Sequence, residues 1–279
     1  MIGNSEMKHG RKKRDASVLD TMEVDYLQAV AGIGGRSGAV FSKTALAKMI
    51  DDSLLRADAT EEEIIEFCEQ AKRYHFASVV IFPYWLPVAR RALRGSDVKA
   101  CTVIAFPHGC LPTAAKVQEA RQAIAARAQE IDVVVNLGAL KSGDYEHVHR
   151  DLEELVTVAK LNGITEDGEE VLTKIIVETT LTTREEQERV CRIAEEVRAD
   201  FIKTCTGAGP RPVSVEDVKF LRSVVGREMG IKAAGGIRTY EQAMALINAG
   251  ANRMGTSTGP AIVEAFDRIP ISHASEVSD

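Results

Sequence analysis

From about residue 45 onward the chain alternates short apolar runs with longer amphipathic ones. The apolar runs stand at Ala77–Phe82, Lys99–Phe106, Ile131–Asn136, Thr173–Glu178, Asp200–Thr204, Ile231–Ala234 and Asn252–Thr256, with a weaker one near Met49–Ser53. Short runs of this kind, rich in β-branched residues and closed off by turn residues, read as strands buried on both faces. The segments between them carry apolar residues on a 3.6-residue period and open on helix-start signals. Thr60 with Glu63 offers a capping box ahead of Ile64, Ile65, Phe67, Cys68 and Ala71. Thr183 with Glu186 repeats the device ahead of Val190, Ile193, Ala194 and Val197. Ser214-Val215-Glu216-Asp217 and Thr239-Tyr240-Glu241-Gln242 open two further helices.

Eight strand candidates separated by helices in about 225 residues give the plan of an α/β protein with a single (β/α)8 TIM barrel. A doubly wound open sheet is the alternative, and it calls for a glycine-rich phosphate turn after the first strand. Here the glycine-rich turns follow the seventh and eighth strands, which favours the barrel. The expected organisation is an N-terminal extension over residues 1–44, the barrel over 45–267 and a C-terminal tail over 268–279. Within the extension, Val24–Ala31 fits a short helix and Gly32–Gly38 a loop.

Composition narrows the class. Of the 279 residues, 45% are hydrophobic and 27% charged, the mixture of a soluble globular protein. A net charge of -6 lacks the basic excess that marks a nucleic-acid partner. No stretch approaches the roughly 18 uninterrupted apolar residues of a membrane span, so no membrane partner is expected. The five cysteines are odd in number and widely spaced, without a CxxC pair, which suits a reduced chain in the cytoplasm. Arg11-Lys12-Lys13-Arg14 is followed by no apolar stretch, so it reads as a solvated terminus and not as a secretory signal.

Two lysines sit where lysines are costly. Lys203 lies in the apolar run Phe201-Ile202-Lys203-Thr204, and Lys232 in Ile231-Lys232-Ala233-Ala234. Either one alone reads equally well as a lysine snorkelling from a strand end. Two on consecutive strands, each beside a loop of small residues, point to chemistry at a barrel mouth. A free lysine amine, with a pKa near 10.4, is almost wholly protonated at neutral pH. A neighbouring ammonium and partial desolvation lower that value and free the lone pair. Such an amine can attack a carbonyl to form a Schiff base, whose iminium accepts the electrons of a breaking carbon–carbon bond. The residues alone mark the two lysines as a pair without ranking them.

Asp132, in Glu130-Ile131-Asp132-Val133-Val134-Val135-Asn136, is a carboxylate on a strand that is otherwise apolar. It reads as a strand-start cap, as a partner for a barrel arginine, or as a proton-transfer group beside the lysines. Lys174 either adds positive charge or pairs with Asp132 or Glu178, and the spacing leaves these open. The loops Gly235-Gly236-Ile237-Arg238 and Gly255-Thr256-Ser257-Thr258 follow the seventh and eighth strands, where barrels often bind phosphate. The loop Thr204–Gly209 is placed to complete that cradle. Among the six histidines only His147 and His149 are close in sequence, on different helix faces, and no zinc spacing results. A metal site is therefore not expected. His108 and Cys205 read as a loop residue and a small buried residue.

Three segments carry a resemblance: Phe201–Gly207, Ile231–Thr239 and Glu130–Asn136 resemble the deoxyribose-phosphate aldolase family. So do Ile50–Thr60, Thr102–Pro107 and Ala249–Ser257, and the likeness extends over residues 45–267. The resemblance implies a metal-free, cofactor-free class I aldolase that cleaves 2-deoxy-D-ribose 5-phosphate reversibly to D-glyceraldehyde 3-phosphate and acetaldehyde. It implies Lys203 as the Schiff-base lysine, Lys232 as the neighbour that lowers its pKa, and Asp132 as the proton-transfer residue. It implies Gly207, Gly235, Gly236, Arg238, Gly255, Ser257 and Thr258 around the phosphate. A homodimer is the expected assembly for barrels of this type. The chain departs from the family pattern at Asp51-Asp52-Ser53, where Asp-His-Thr is common, at Ala208 with the following Gly-Pro-Arg-Pro, and at His108-Gly109-Cys110. These departures leave the substrate open, so a related Schiff-base aldolase with a different donor or sugar phosphate is the second reading; a non-catalytic phosphate-binding barrel is a third, against which the intact Lys203, Lys232 and Asp132 argue.

Overall fold

The computed structural model describes residues 41–268 apart from 164, 166 and 167. Short helix α1 (Lys43–Ala47) leads into β1 (Ile50–Leu54), followed by α2 (Glu61–Tyr74), β2 (Ser78–Ile81), α3 (Leu86–Ala92) and β3 (Lys99–Ile104). Next come α4 (Thr113–Ala125), β4 (Glu130–Val134), α5 (Leu137–Lys141), α6 (Tyr145–Asn162) and β5 (Leu172–Ile176). The remainder is α7 (Arg184–Glu196), β6 (Phe201–Lys203), α8 (Val215–Val224), β7 (Gly230–Ala234), α9 (Tyr240–Asn248), β8 (Arg253–Thr256) and α10 (Gly259–Ala265). The eight strands pair in parallel in chain order, and β8 returns to β1 through Ile50↔Met254 and Asp51↔Gly255. This is the closed (β/α)8 barrel expected from the alternation. The expected features at Arg11–Arg14, Val24–Ala31, Gly32–Gly38 and the tail beyond residue 268 lie outside the described residues.

Each strand begins and ends within two residues of its expected place. The two expected capping boxes form, and the two further helix starts, at Ser214 and Thr239, are capping boxes as well. At α2, for example, Thr60 Oγ1 accepts from the Glu63 N–H at 3.3 Å while the Glu63 carboxylate accepts from the Thr60 N–H at 2.8 Å. Each such cap is worth about 1 kcal/mol and fixes where the helix starts. Two residues expected at strand ends leave the strand. Asn136 caps α5, its Oδ1 accepting from the Ala139 N–H at 3.1 Å, and Glu178 turns into the left-handed region at φ 53°.

The outer strand face carries Val79, Ile131, Val133, Ile175, Ile202, Ile231 and Met254, all fully buried under the helices. Burying each such side chain stabilises the fold by about 1.5–3 kcal/mol. One ion pair crosses this layer: Lys116 of α4 lies 2.6 Å from Asp151 of α6 and donates to the Val134 carbonyl of β4 at 3.1 Å. Both side chains are completely buried, so each requires the other to offset its desolvation. No helix among the described residues is long and apolar enough to cross a membrane.

Candidate active site

The inner face of the barrel is charged, in contrast to the apolar layers that usually fill such a fold. Strand parity puts Asp51 of β1, Glu130 and Asp132 of β4, Lys174 of β5, Lys203 of β6, Lys232 of β7 and Arg253 of β8 inside. Lys203 and Lys232 are register partners on adjacent parallel strands, so they emerge side by side. Asp132 joins them: its Oδ2 accepts from Lys203 Nζ at 2.7 Å and from Lys232 Nζ at 2.8 Å. Its Oδ1 accepts from Lys174 Nζ at 2.9 Å and from the Cys101 thiol at 3.3 Å. Below this, Glu130 lies 2.6 Å from Lys174 and 2.8 Å from Arg253, and Arg253 also reaches Asp51 at 2.8 Å.

The two site lysines differ in their carboxylate neighbours. Lys232 also touches Asp51 Oδ2 at 2.6 Å, whereas Lys203 pairs with Asp132 alone among the described residues. Burial pulls both amines down. For Lys232 the attraction of Asp132 and Asp51 outweighs burial and leaves its pKa raised. For Lys203 burial, helped by the Lys232 charge, outweighs Asp132 and leaves its pKa lowered. Asp132 is held well below the ordinary carboxylate range because Lys174, Lys203 and Lys232 together overcome its burial. Lys174 is driven well above the ordinary lysine value, since Asp132, Cys101, Glu130 and Asp51 overcome the same penalty. The cluster therefore holds one amine biased toward neutrality, one fixed ammonium beside it and one fixed carboxylate bridging the two.

Above the lysines, at the C-terminal ends of the strands, opens a cleft of about 230 Å³. Lys203 and Lys232 form part of its floor, and Gly207, Gly235, Gly236, Arg238, Gly255 and Ser257 line it. Gly255 is on the inward parity of β8, and a Cβ there would stand 3.1 Å from Lys232 Cε and 2.9 Å from Ala234 Cβ. The missing side chain leaves room for the Lys232 stem. Thr258 braces the loops instead of extending the lining: its N–H donates to Thr256 Oγ1 at 3.0 Å and its hydroxyl to the Arg238 carbonyl at 3.4 Å. The rest of the lining includes Ser53, Leu55 and Val80, and Leu55 packs with Phe82 and Phe106 against Val80 and Val103. One side of the mouth is thus apolar and the other rich in backbone N–H groups.

Of the alternatives open for Lys174, the pairing with Asp132 forms and that with Glu178 does not. Lys174 projects into the barrel, while Glu178 has already left the strand and bonds to Thr180 and Thr206. Sequence reasoning missed Asp51, Glu130 and Arg253. Each stands at or near the start of a strand, where a lone charge is locally indistinguishable from a solvated end. Their common inward parity was the available signal. His108 is an exposed loop residue, and Cys205 is buried with its thiol donating to the Ala234 carbonyl at 2.6 Å.

Comparison with known proteins agrees with this architecture. Residues 44–265 match the family model described as DeoC/LacD family aldolase. The chain is 51% identical to the deoxyribose-phosphate aldolase of Thermococcus gammatolerans, over 78% of this chain and 95% of that one. It is 49% identical to the enzyme of the same name from Thermococcus kodakarensis, over 80% and 97% of the respective chains. Among solved structures, the tetrameric deoxyribose phosphate aldolase of Aeropyrum pernix superposes with a TM-score of 0.75 at 31% identity, covering 88% of this chain and 97% of that one. Paired lysines on adjacent barrel strands, an intervening carboxylate and a sequence match spanning the whole barrel converge: the chain belongs to the DeoC/LacD family of aldolases.

Proposed function

We infer that the protein reversibly cleaves 2-deoxy-D-ribose 5-phosphate to D-glyceraldehyde 3-phosphate and acetaldehyde through a Schiff base on Lys203. The observation that carries this reading is the asymmetry around Asp132 Oδ2, which two ammonium groups share while only Lys232 has a second carboxylate. That asymmetry supports Lys203 as the amine more readily neutral and Lys232 as the one that stays charged. The neutral amine attacks C1 of the open-chain aldehyde, and the carbinolamine loses water to give an iminium, with Asp132 relaying the protons while Lys232 stays charged. Removal of the proton from the C3 hydroxyl then sends the electrons of the C2–C3 bond into the iminium. Glyceraldehyde 3-phosphate leaves, the remaining enamine is protonated at C2, and hydrolysis releases acetaldehyde and restores the amine. The iminium brings a positive charge to the place of the neutral amine, and Asp132 beside it stabilises that charge.

The N–H-rich side of the cleft, with Gly207, Gly235, Gly236, Arg238, Gly255 and Ser257, suits a phosphate held away from the reacting bond, with Thr258 bracing it from behind. Among the departures from the family pattern, Ser53 alone lines the cleft. Asp52 points outward, its Oδ1 accepting from the Gly259 N–H at 3.3 Å, and Ala208 and His108 are exposed. This supports the deoxyribose substrate over a different donor. The five cysteines, none joined in a disulfide, suit a cytoplasmic enzyme of deoxynucleoside catabolism. Borohydride reduction in the presence of acetaldehyde, followed by peptide mass mapping, should place an ethyl adduct on Lys203 that Lys203→Ala abolishes. An adduct on Lys232 would reverse the ranking, and no adduct would favour the non-catalytic phosphate-binding barrel.

A further inference from the structure

Glu178 is a buried carboxylate that takes no part in the ionic network under the cleft. It follows β5, is 1% exposed, and holds a left-handed backbone at φ 53°. That conformation is costly for a residue with a Cβ and persists where surrounding contacts fix it. Here the contacts run to the next loop. Its Oε2 accepts from both the N–H of Thr206 at 3.0 Å and the hydroxyl of Thr206 at 2.6 Å, and its Oε1 accepts from Thr180 Oγ1. Thr206 Oγ1 in turn accepts from the Ala208 N–H at 3.1 Å.

The N–H groups on both sides of Gly207 are thereby turned inward to side-chain oxygens. The Gly207 N–H between them has no acceptor among the described residues, and Gly207 lines the cleft. Gly209 presses against the same brace: a Cβ there would stand 2.0 Å from Thr180 Oγ1 and 3.0 Å from Glu178 Oε1. Arg211 adds a second tie between the loops, donating to the Thr179 carbonyl at 3.2 Å while gripping Asp217 at 2.6 and 3.0 Å.

We propose that Glu178 is a positioning residue for recognition of the substrate phosphate, acting through Thr206 to hold the Gly207 N–H toward the cleft. It touches neither the lysines nor Asp132, so its effect falls on binding of the phosphorylated end. The proposal rests on the reading of a phosphorylated sugar substrate given above. The informative quantity is the ratio of kcat/KM for 2-deoxy-D-ribose 5-phosphate to that for unphosphorylated 2-deoxy-D-ribose, since misfolding lowers both in proportion.

In Glu178→Ala that ratio should fall about 10-fold or more, mainly through KM for the phosphorylated sugar. Glu178→Gln keeps an acceptor toward Thr206 and should stay within about 3-fold of the parent. Thr206→Val removes the hydroxyl but leaves the carboxylate, and it should also lower the ratio. It serves as the test if Glu178→Ala does not fold. An unchanged ratio in the folded variants, or a proportional loss on both sugars, overturns the proposal while leaving the aldolase reading intact. A parent enzyme with no preference for the phosphorylated sugar overturns that reading and the proposal with it.

Discussion

At the scale of single residues, the site rests on one oxygen. Asp132 Oδ2 serves Lys203 and Lys232 at nearly equal distance, so the difference between the lysines comes from what else each one meets. Lys232 is fixed as a cation by Asp51, and its charge together with burial lowers Lys203. Lys232→Met removes that repulsion and leaves Asp132 Oδ2 to Lys203, with Lys174 still on Oδ1, so the pKa of Lys203 should rise. Its neutral fraction at pH 7 then shrinks about tenfold for each unit of rise, equivalent to about 1.4 kcal/mol. The expected result is a loss of about 10-fold or more in kcat/KM at pH 7, with a pH–rate profile whose rising limb moves to higher pH. A variant that loses activity without any shift of that limb would assign Lys232 to proton transfer alone.

At the scale of elements, the β1–α10 contact holds a second titrating group. Asp52 faces outward between strand and helix, and burial raises its pKa to about 7 although the Gly259 and Ser53 N–H groups pull the other way. The folded chain therefore holds this proton more tightly than the unfolded one. Stability from this group is complete below the unfolded carboxylate pKa of about 4, falls as pH rises toward 7, and is level above that. The loss is on the order of 4 kcal/mol at about 1.4 kcal/mol per unit. Asp52→Asn should be more stable than the parent at pH 8 in chemical denaturation, and the advantage should vanish near pH 4. Equal stability at both pH values would mean that Asp52 is not the group that titrates. The elements themselves were legible in the sequence because their signals are local: buried parallel strands read as unbroken apolar runs, and Thr60, Thr183, Ser214 and Thr239 announce their helices. Asn136 and Glu178 were read into strands because apolar neighbours precede them, while their side chains bond to later backbone that no local pattern reveals.

At the scale of the whole molecule, the barrel closes around a balanced charge. Asp51, Glu130 and Asp132 stand against Lys174, Lys203, Lys232 and Arg253, so the interior is neutral when one amine gives up its proton. Lys203 and Lys232 stood out in the sequence because a lysine amid apolar residues is conspicuous. The balance did not, since it exists only once eight strands from distant parts of the chain share one axis. It makes a testable demand on Lys174, which lies 2.6 Å from Glu130 and 2.9 Å from Asp132 and has no direct place in the proposed chemistry. In Lys174→Met the remaining cations equal the carboxylates only when Lys203 is protonated, so neutral Lys203 becomes costly. Stability should fall by about 3 kcal/mol, because Glu130 and Asp132 each lose one of their buried partners, and the rising limb of the pH–rate profile should move upward. Glu130→Gln added to Lys174→Met restores the balance with Lys203 neutral. The double variant should recover part of both losses, with a coupling energy of about 1 kcal/mol or more in a double-mutant cycle. Additive losses would show that the interior charges act as separate pairs and that the neutrality of Lys203 owes nothing to the rest of the barrel.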